Sequence, residues 1–285
     1  MFIHCCQAGR FGPSVVGFLR QTALLALLTA AGLGLPACSG GGGSTSSAPT
    51  FPVLPPTATG NADITLLFMG NSHTDFHDVP GMVAALVRSV RPGRTVAADR
   101  APGYLFLEER LSDPATLAKL NGQRWSAVVL QAQKYSSSGQ FSYSTAEAEE
   151  LVRMTRRLGS QPVMFPEWPR RGVTETQRIY DLHVSIARVA PACVAPVGQA
   201  WDVAAARAPD VVLHDGDGNH AVPAGAFLAA VVLAATLTGA SPTDFAAIPL
   251  AAVDAATQQR LRAAAAEAVA ATPARSHCPG DPVLP

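Results

Sequence analysis

The chain of 285 residues predicts an α/β protein built on a mostly parallel sheet. Residues 64–69 (ITLLFM) form a near-continuous apolar run, the pattern of a strand covered on both faces. Short apolar runs of this kind then alternate with amphipathic helical patterns as far as residue 240, which implies βαβ units. Glycine-containing turns follow the first two apolar runs, and open α/β sheets hold ligands outside the carboxyl ends of their strands.

In chain order, residues 64–69 run into Gly70-Asn71-Ser72. Gly70 lets the backbone turn sharply, and a hydroxyl placed there is a candidate nucleophile if a base can reach it. The plainer reading of Ser72 is a helix cap or a turn serine. Residues 80–90 have apolar side chains at helical spacing and end at Arg91-Pro92-Gly93. Residues 95–101 read as a second strand, with Gly103 just past it, and 105–120 as a helix interrupted at Asp113-Pro114. Residues 126–133 read as a third strand whose two-residue period puts Gln131 and Gln133 on one face. Residues 144–158 read as a helix capped by Thr145, with Leu151, Met154 and Leu158 on its apolar side. A fourth strand covers 162–165, a helix 174–189, and a fifth strand 193–197. Right-handed crossovers would put helices on both faces. The polar loop 214–220 (HDGDGNH) follows, then an apolar helix from Pro223 to about Thr238, and an Ala-rich helix over 254–271.

Lys and Arg number 21, as do Asp and Glu, so no charge imbalance points to nucleic acid or an anionic surface as partner. The amino terminus reads as a targeting segment. Arg10 and Arg20 precede a 14-residue apolar run over 22–35, too short to span a bilayer and suited to a secretory signal. The run ends in Leu35-Pro36-Ala37-Cys38, which resembles the lipobox of bacterial lipoproteins; an ordinary cleavable signal is the alternative. The stretch before Arg20 is long for an n-region, which leaves the true start open. Residues 1–37 are thus expected to be a signal peptide and Cys38 the lipidated residue. Residues 38–61, rich in Gly, Ser, Thr and Pro, are expected to form a flexible linker. The globular domain covers 62–273 and a tail 274–285. Lipid-anchored export to the cell envelope follows. Removal of Cys5 and Cys6 and lipidation of Cys38 leave Cys193 and Cys278, an even pair expected to form a disulfide in an oxidising compartment.

Asp217 and His220 stand three apart on the loop entering the apolar helix. At that spacing a carboxylate can accept from the imidazole Nδ1–H and leave Nε2 as a base. A turn of Asx residues with a surface histidine is the alternative, and the DGDGN run lacks the closing acidic residue of a calcium loop. His73, Asp75, His77 and Asp78 suggest a metal site, but a solvated first turn after the nucleophile is preferred. Trp125 and Trp201 read as packing residues at element ends, His183 as structural, and Glu167 and Trp168 as cleft-lining or structural.

Gly70-Asn71-Ser72 after the first strand, together with Asp217-x-x-His220 near the carboxyl terminus, resembles the SGNH (GDSL-type) hydrolases. The resemblance implies a three-layer α/β/α flavodoxin-like fold. It implies a Ser72–His220–Asp217 triad and an oxyanion hole completed by Gly103 after the second strand. The family's G-x-N-D block after the third strand is absent, and the resemblance suggests Gln131 or Gln133 in place of its Asn; a polar cap on the strand end is the alternative for each. The function so implied is an exported serine esterase acting on carboxylic esters, acetyl esters of carbohydrates among them. It would need no metal or organic cofactor. The alternatives are a non-catalytic surface-binding domain on the same scaffold and a metal-dependent phosphoesterase using His73, His77 and the nearby Asp residues.

Overall fold

Residues 61–285 are described by a computed structural model. The expected signal peptide, Cys38, and residues 38–60 of the linker lie outside the described residues.

The run ITLLFM is buried end to end and forms β1 (Ile64–Met69). A one-turn helix α1 (Ser72–Asp75) follows, then a short 3-10 turn and α2 (Val79–Val90). Beyond them come β2 (Val96–Arg100), α3 (Leu107–Arg110), α4 (Pro114–Asn121), β3 (Ala127–Leu130) and α5 (Ala146–Arg157). The chain continues through β4 (Gln161–Met164), α6 (Thr176–Val189), β5 (Cys193–Val194), α7 (Val197–Arg207), α8 (Pro223–Thr238) and α9 (Ala255–Ala271). The five strands form one parallel sheet in the order β2-β1-β3-β4-β5.

The pleat divides β1 between two cores. Ile64, Leu66 and Phe68 pack with side chains of α2, α7, α8 and α9, while Leu67 and Met69 pack with α3, α4, α5 and α6. Helices therefore cover both faces, in three layers. Helix α8 is apolar all round, as expected of a helix enclosed by others, and every residue from Ala224 to Thr238 is buried. Gly225 is required there: a Cβ would come within 2.4 Å of the Leu213 carbonyl and 2.7 Å of the Trp201 ring. The break expected at Asp113-Pro114 separates α3 from α4, and the Asp113 carboxylate accepts from Thr116 N–H.

Three sequence expectations are corrected. The third strand ends at Leu130, because Ala132 takes a left-handed φ of 76° that stops the pleat before Gln133. The fifth strand is only two residues long, and Val197 opens a helix the sequence reading left unassigned. Ala200, Trp201 and Ala204 recur there at helical spacing and are buried, a period masked by the apolar stretch 193–197. Thr145 occupies the N-cap position of α5, but its hydroxyl donates to the Glu149 carboxylate and caps no backbone N–H.

Cys193 and Cys278 are joined in a disulfide across 85 residues, with their Cα atoms 5.0 Å apart. Arg156 and Asp281 form a two-pronged ion pair at 2.9 Å beside it. The carboxyl-terminal segment is thereby pinned to the start of β5.

Candidate active site

Gly70 ends β1 because nothing larger fits. A Cβ there would lie 2.1 Å from Thr74 Oγ1 and 2.5 Å from Gln131 Oε1. Asn71 caps α1, its Oδ1 accepting from His73 N–H at 3.0 Å. Ser72 is thus the first residue of a one-turn helix, half-buried at the carboxyl end of β1.

The loop from His214 to Ala221 combines internal bonds with anchors from Arg171, whose N–H donates to the Gly218 carbonyl at 2.8 Å and whose Nη2 donates to the carbonyls of His214 and Asp215. His214 and Ala221 form an isolated antiparallel bridge, Asp215 N–H donates to the His220 carbonyl at 2.8 Å, and Gly218 N–H donates to the Asp215 carbonyl at 3.0 Å. Asp217 Oδ1 accepts from the backbone N–H of Asn219 at 2.8 Å and of His220 at 2.9 Å. Its other oxygen, Oδ2, lies 2.5 Å from His220 Nδ1. The Asn219 N–H bond first, then the imidazole, hold the Asp217 carboxyl well below the usual carboxylate range. With the Nδ1 proton committed to that carboxylate, Nε2 is the accepting nitrogen. It lies 2.8 Å from Ser72 Oγ, across 148 residues of chain.

Two aromatic groups set the plane of the His220 ring. Phe76 stacks on it at 4.8 Å between centroids and His73 at 5.1 Å. His73 is buried, which pushes its pKa down, and its ring lies 4.9 Å from that of Trp168. Trp168 in turn stacks face to face on Trp201 at 4.6 Å, and its Nε1–H donates to the Asn219 carbonyl at 2.8 Å. Trp168 therefore fastens the His220 loop. Trp201 packs as expected, but from the middle of α7 and not from an element end. His77 Nε2 donates at 3.0 Å to the carbonyl of Ala221, the residue after His220. It reaches there from a left-handed backbone, φ 59°, followed by Asp78 at 58°, an uncommon conformation for two residues that are not glycine.

The acidic residues after Ser72 are not a solvated first turn. Asp75 pairs with Arg100 Nε at 2.6 Å and accepts from the Tyr104 hydroxyl at 2.5 Å; Asp78 pairs with the same Arg100 and caps Gly81 N–H. The bond to Asp75 holds the Tyr104 phenol up at about 12. His183 is structural, buried within α6 with Nδ1 donating to the Ile179 carbonyl at 2.8 Å. Trp125 is buried, its N–H on the Leu120 carbonyl.

The two glutamines part company. Gln131 is fully buried; its Oε1 accepts from Asn71 N–H and from the Thr74 hydroxyl, both at 2.9 Å, while Nε2 donates to Glu167 at 2.8 Å. Gln133 donates from Nε2 to the carbonyls of Ser144 at 2.9 Å and Lys134 at 3.1 Å. The turn at Ala132 takes Gln133 away from the strand face it was expected to share with Gln131. Gln131 instead buttresses the Ser72 turn, with Glu167 behind it. Gly103 is exposed at φ 74° beyond β2 and lines a cleft of about 500 Å³ with Gly70, Asn71, Ala101 and Tyr104.

Arg110 escaped the sequence reading. It is fully buried, and its guanidinium donates to the carbonyls of Gly70, Pro102 and Gly103. Its only outward signal is an arginine in a short helical segment of otherwise ordinary polarity.

No family model and no curated protein matches the chain. Among solved structures it is similar to one from Slackia heliotrinireducens described as "a putative SGNH hydrolase", at 28% identity over 62% of this chain and 99% of that one, with a TM-score of 0.50. A DUF4886 family protein from Bacteroides uniformis shares 19% identity over 73% of this chain and 95% of that one, with a TM-score of 0.56; this likeness is one of fold. The five-stranded parallel sheet flanked by helices matches the SGNH hydrolase structure.

Proposed function

We propose that this chain, folded like an SGNH hydrolase, is an exported serine esterase that cleaves carboxylic esters, acetyl esters of carbohydrates among them. The observation that carries the reading is the unbroken series Ser72 Oγ, His220 Nε2, His220 Nδ1, Asp217 Oδ2, with links of 2.8 Å and 2.5 Å. These lie at or just below ordinary hydrogen-bond lengths for a nucleophile, its base and the group that orients the base.

Ser72 Oγ attacks the ester carbonyl while His220 Nε2 takes its proton. Asp217 fixes the imidazole tautomer and stabilises the imidazolium. The oxyanion is received by the backbone N–H groups of Ser72 and Gly103. Both glutamine side-chain nitrogens are committed elsewhere, so the hole rests on those two backbone donors. His220 returns the proton to the leaving alcohol, and water hydrolyses the acyl-enzyme by the same steps.

Esterase assay of wild type and Ser72→Ala on p-nitrophenyl acetate tests this, together with labelling by a fluorophosphonate. Turnover and labelling that vanish in Ser72→Ala support it; equal turnover in the two proteins would falsify it. The committed glutamine nitrogens favour a second reading, a binding domain on the same scaffold, and absence of labelling in a folded wild type would favour that one. Export with lipidation at Cys38 is proposed from the targeting segment, with the Cys193–Cys278 disulfide in support. Palmitate incorporation that persists in Cys38→Ser would end that part.

A further inference from the structure

We propose that Arg110 is the positioning residue that aims the two backbone donors on which the oxyanion hole rests. The inference rests on the esterase reading above. Arg110 lies at the end of α3, wholly buried. Nη2 donates to the carbonyls of Gly70 at 2.5 Å and Gly103 at 2.9 Å, and Nη1 to the Pro102 carbonyl at 3.1 Å and Thr116 Oγ1 at 3.0 Å. Among the described residues no carboxylate lies within ion-pair distance of it; Asp113 reaches it only through the Thr116 hydroxyl, which donates to Asp113 at 2.7 Å. Burial pushes its pKa down to about 10, so the cation persists at neutral pH.

A buried cation without a contacting anion is expensive and calls for a reason. Its carbonyl acceptors belong to just two peptide stretches, the turn after β1 and the turn after β2. In a planar trans peptide the C=O and N–H point in opposite directions. Pinning the Pro102 carbonyl on Arg110 therefore sends the Gly103 N–H the other way, away from the guanidinium. Pinning the Gly70 carbonyl sends the Asn71 N–H onto Gln131 Oε1, where it is found at 2.9 Å. The Gly70–Asn71 peptide, one before the peptide that bears the Ser72 N–H, is held at both ends, and the peptide bearing the Gly103 donor is held by its carbonyl. The guanidinium also polarises the Pro102–Gly103 peptide, making its N–H a better donor to an anion. A planar fork with fixed donor directions meets three carbonyls and a hydroxyl at once; a lysine ammonium on a flexible stem does not.

The test uses Arg110→Lys, Arg110→Met and Thr116→Val on p-nitrophenyl acetate, with phenylboronic acid as the tetrahedral analogue and circular dichroism as the check on folding. In folded Arg110→Met, kcat and boronate affinity should fall together, on the order of 100-fold, with KM within about twofold. Arg110→Lys should lose about tenfold in both, the charge retained but the fork gone. If Arg110→Met does not fold, Thr116→Val, which leaves the guanidinium and removes one anchor, should still lower kcat about threefold at constant KM. Folded Arg110→Lys and Thr116→Val with wild-type kcat would overturn the proposal. Wild-type turnover that survives Ser72→Ala ends the esterase reading and this inference with it. Ser72-dependent turnover indifferent to Arg110 ends this inference alone.

Discussion

The two halves of the candidate site are held in opposite ways. The Ser72 turn is fixed from below by buried groups distant in sequence: Arg110 on the Gly70 carbonyl and Gln131 on the Asn71 N–H and Thr74 hydroxyl. The Asp217–His220 loop is more exposed: bonds within eight residues cap and turn it, and Trp168, His77 and Arg171, distant in sequence, fasten its rim. Local bonds to water-exposed groups are individually worth little, because water competes for them. Buried bonds cost heavily when broken, because the orphaned partner has nowhere to turn. The nucleophile is therefore expected to be rigid and intolerant of change beneath it, and the base to be adjustable.

The largest expected effect falls on chemistry, on the exposed half. Asp217→Asn should leave the fold intact and lower kcat by about 10⁴-fold, since the amide favours the wrong imidazole tautomer. A loss under tenfold would mean that the loop orients His220 without its carboxylate. On the buried half, Gln131→Met should lower unfolding free energy by about 3 kcal/mol, orphaning Asn71 N–H, the Thr74 hydroxyl and Glu167 together. Chemical denaturation that registers less than 1 kcal/mol would remove the contrast between the halves.

Acid separates the exposed loop from the buried histidines. Asp217 is held below its ordinary pKa, so the loop keeps its ionised cap well into mild acid. His73 is lowered by burial, and His183 is lowered to about 4. For both, the unfolded chain binds a proton that the folded chain refuses. Their contribution is fully present above the unfolded pKa of about 6.5 and is lost as pH falls toward the folded value. For His183 the loss approaches about 3 kcal/mol by pH 4. Urea midpoints should fall from pH 6.5 to 4, and His183→Leu should flatten that slope; an unchanged slope would rule out the histidine as its source. The smallest effect belongs to the rim. Trp168 is buried under that rim; Trp168→Phe keeps part of its stack on Trp201, loses the bond to the Asn219 carbonyl and leaves a small void, and should cost about 2 kcal/mol of stability. A cost above that of Gln131→Met would invert the ranking proposed here.

How much was legible beforehand follows the same division. Bonds made within a few residues can be read from a string of letters. The buried run 64–69, the glycine turn after it, the Asp113-Pro114 break and the spacing of Asp217 and His220 were all of that kind, and each stands in the structure. Cysteine arithmetic left a single pair, and that pair is bonded. The third strand was overrun because an alanine at φ 76° carries no mark in its letter; glycine would have announced it. Helix α7 is hidden because its first residue, Val197, continues the apolar stretch 193–197 that reads as strand.

Local pattern thus dictated the parallel α/β frame, the turn that carries Ser72 and the loop that carries His220. It could not say that these two meet at 2.8 Å, that Gln131 supports the turn from beneath, or that one buried arginine joins the ends of β1 and β2. Those contacts cross 148, 60 and 40 residues of chain respectively. They exist because packing on the two faces of the sheet brings the strand ends together, and a buried polar group must then find its partner among whatever lies beside it.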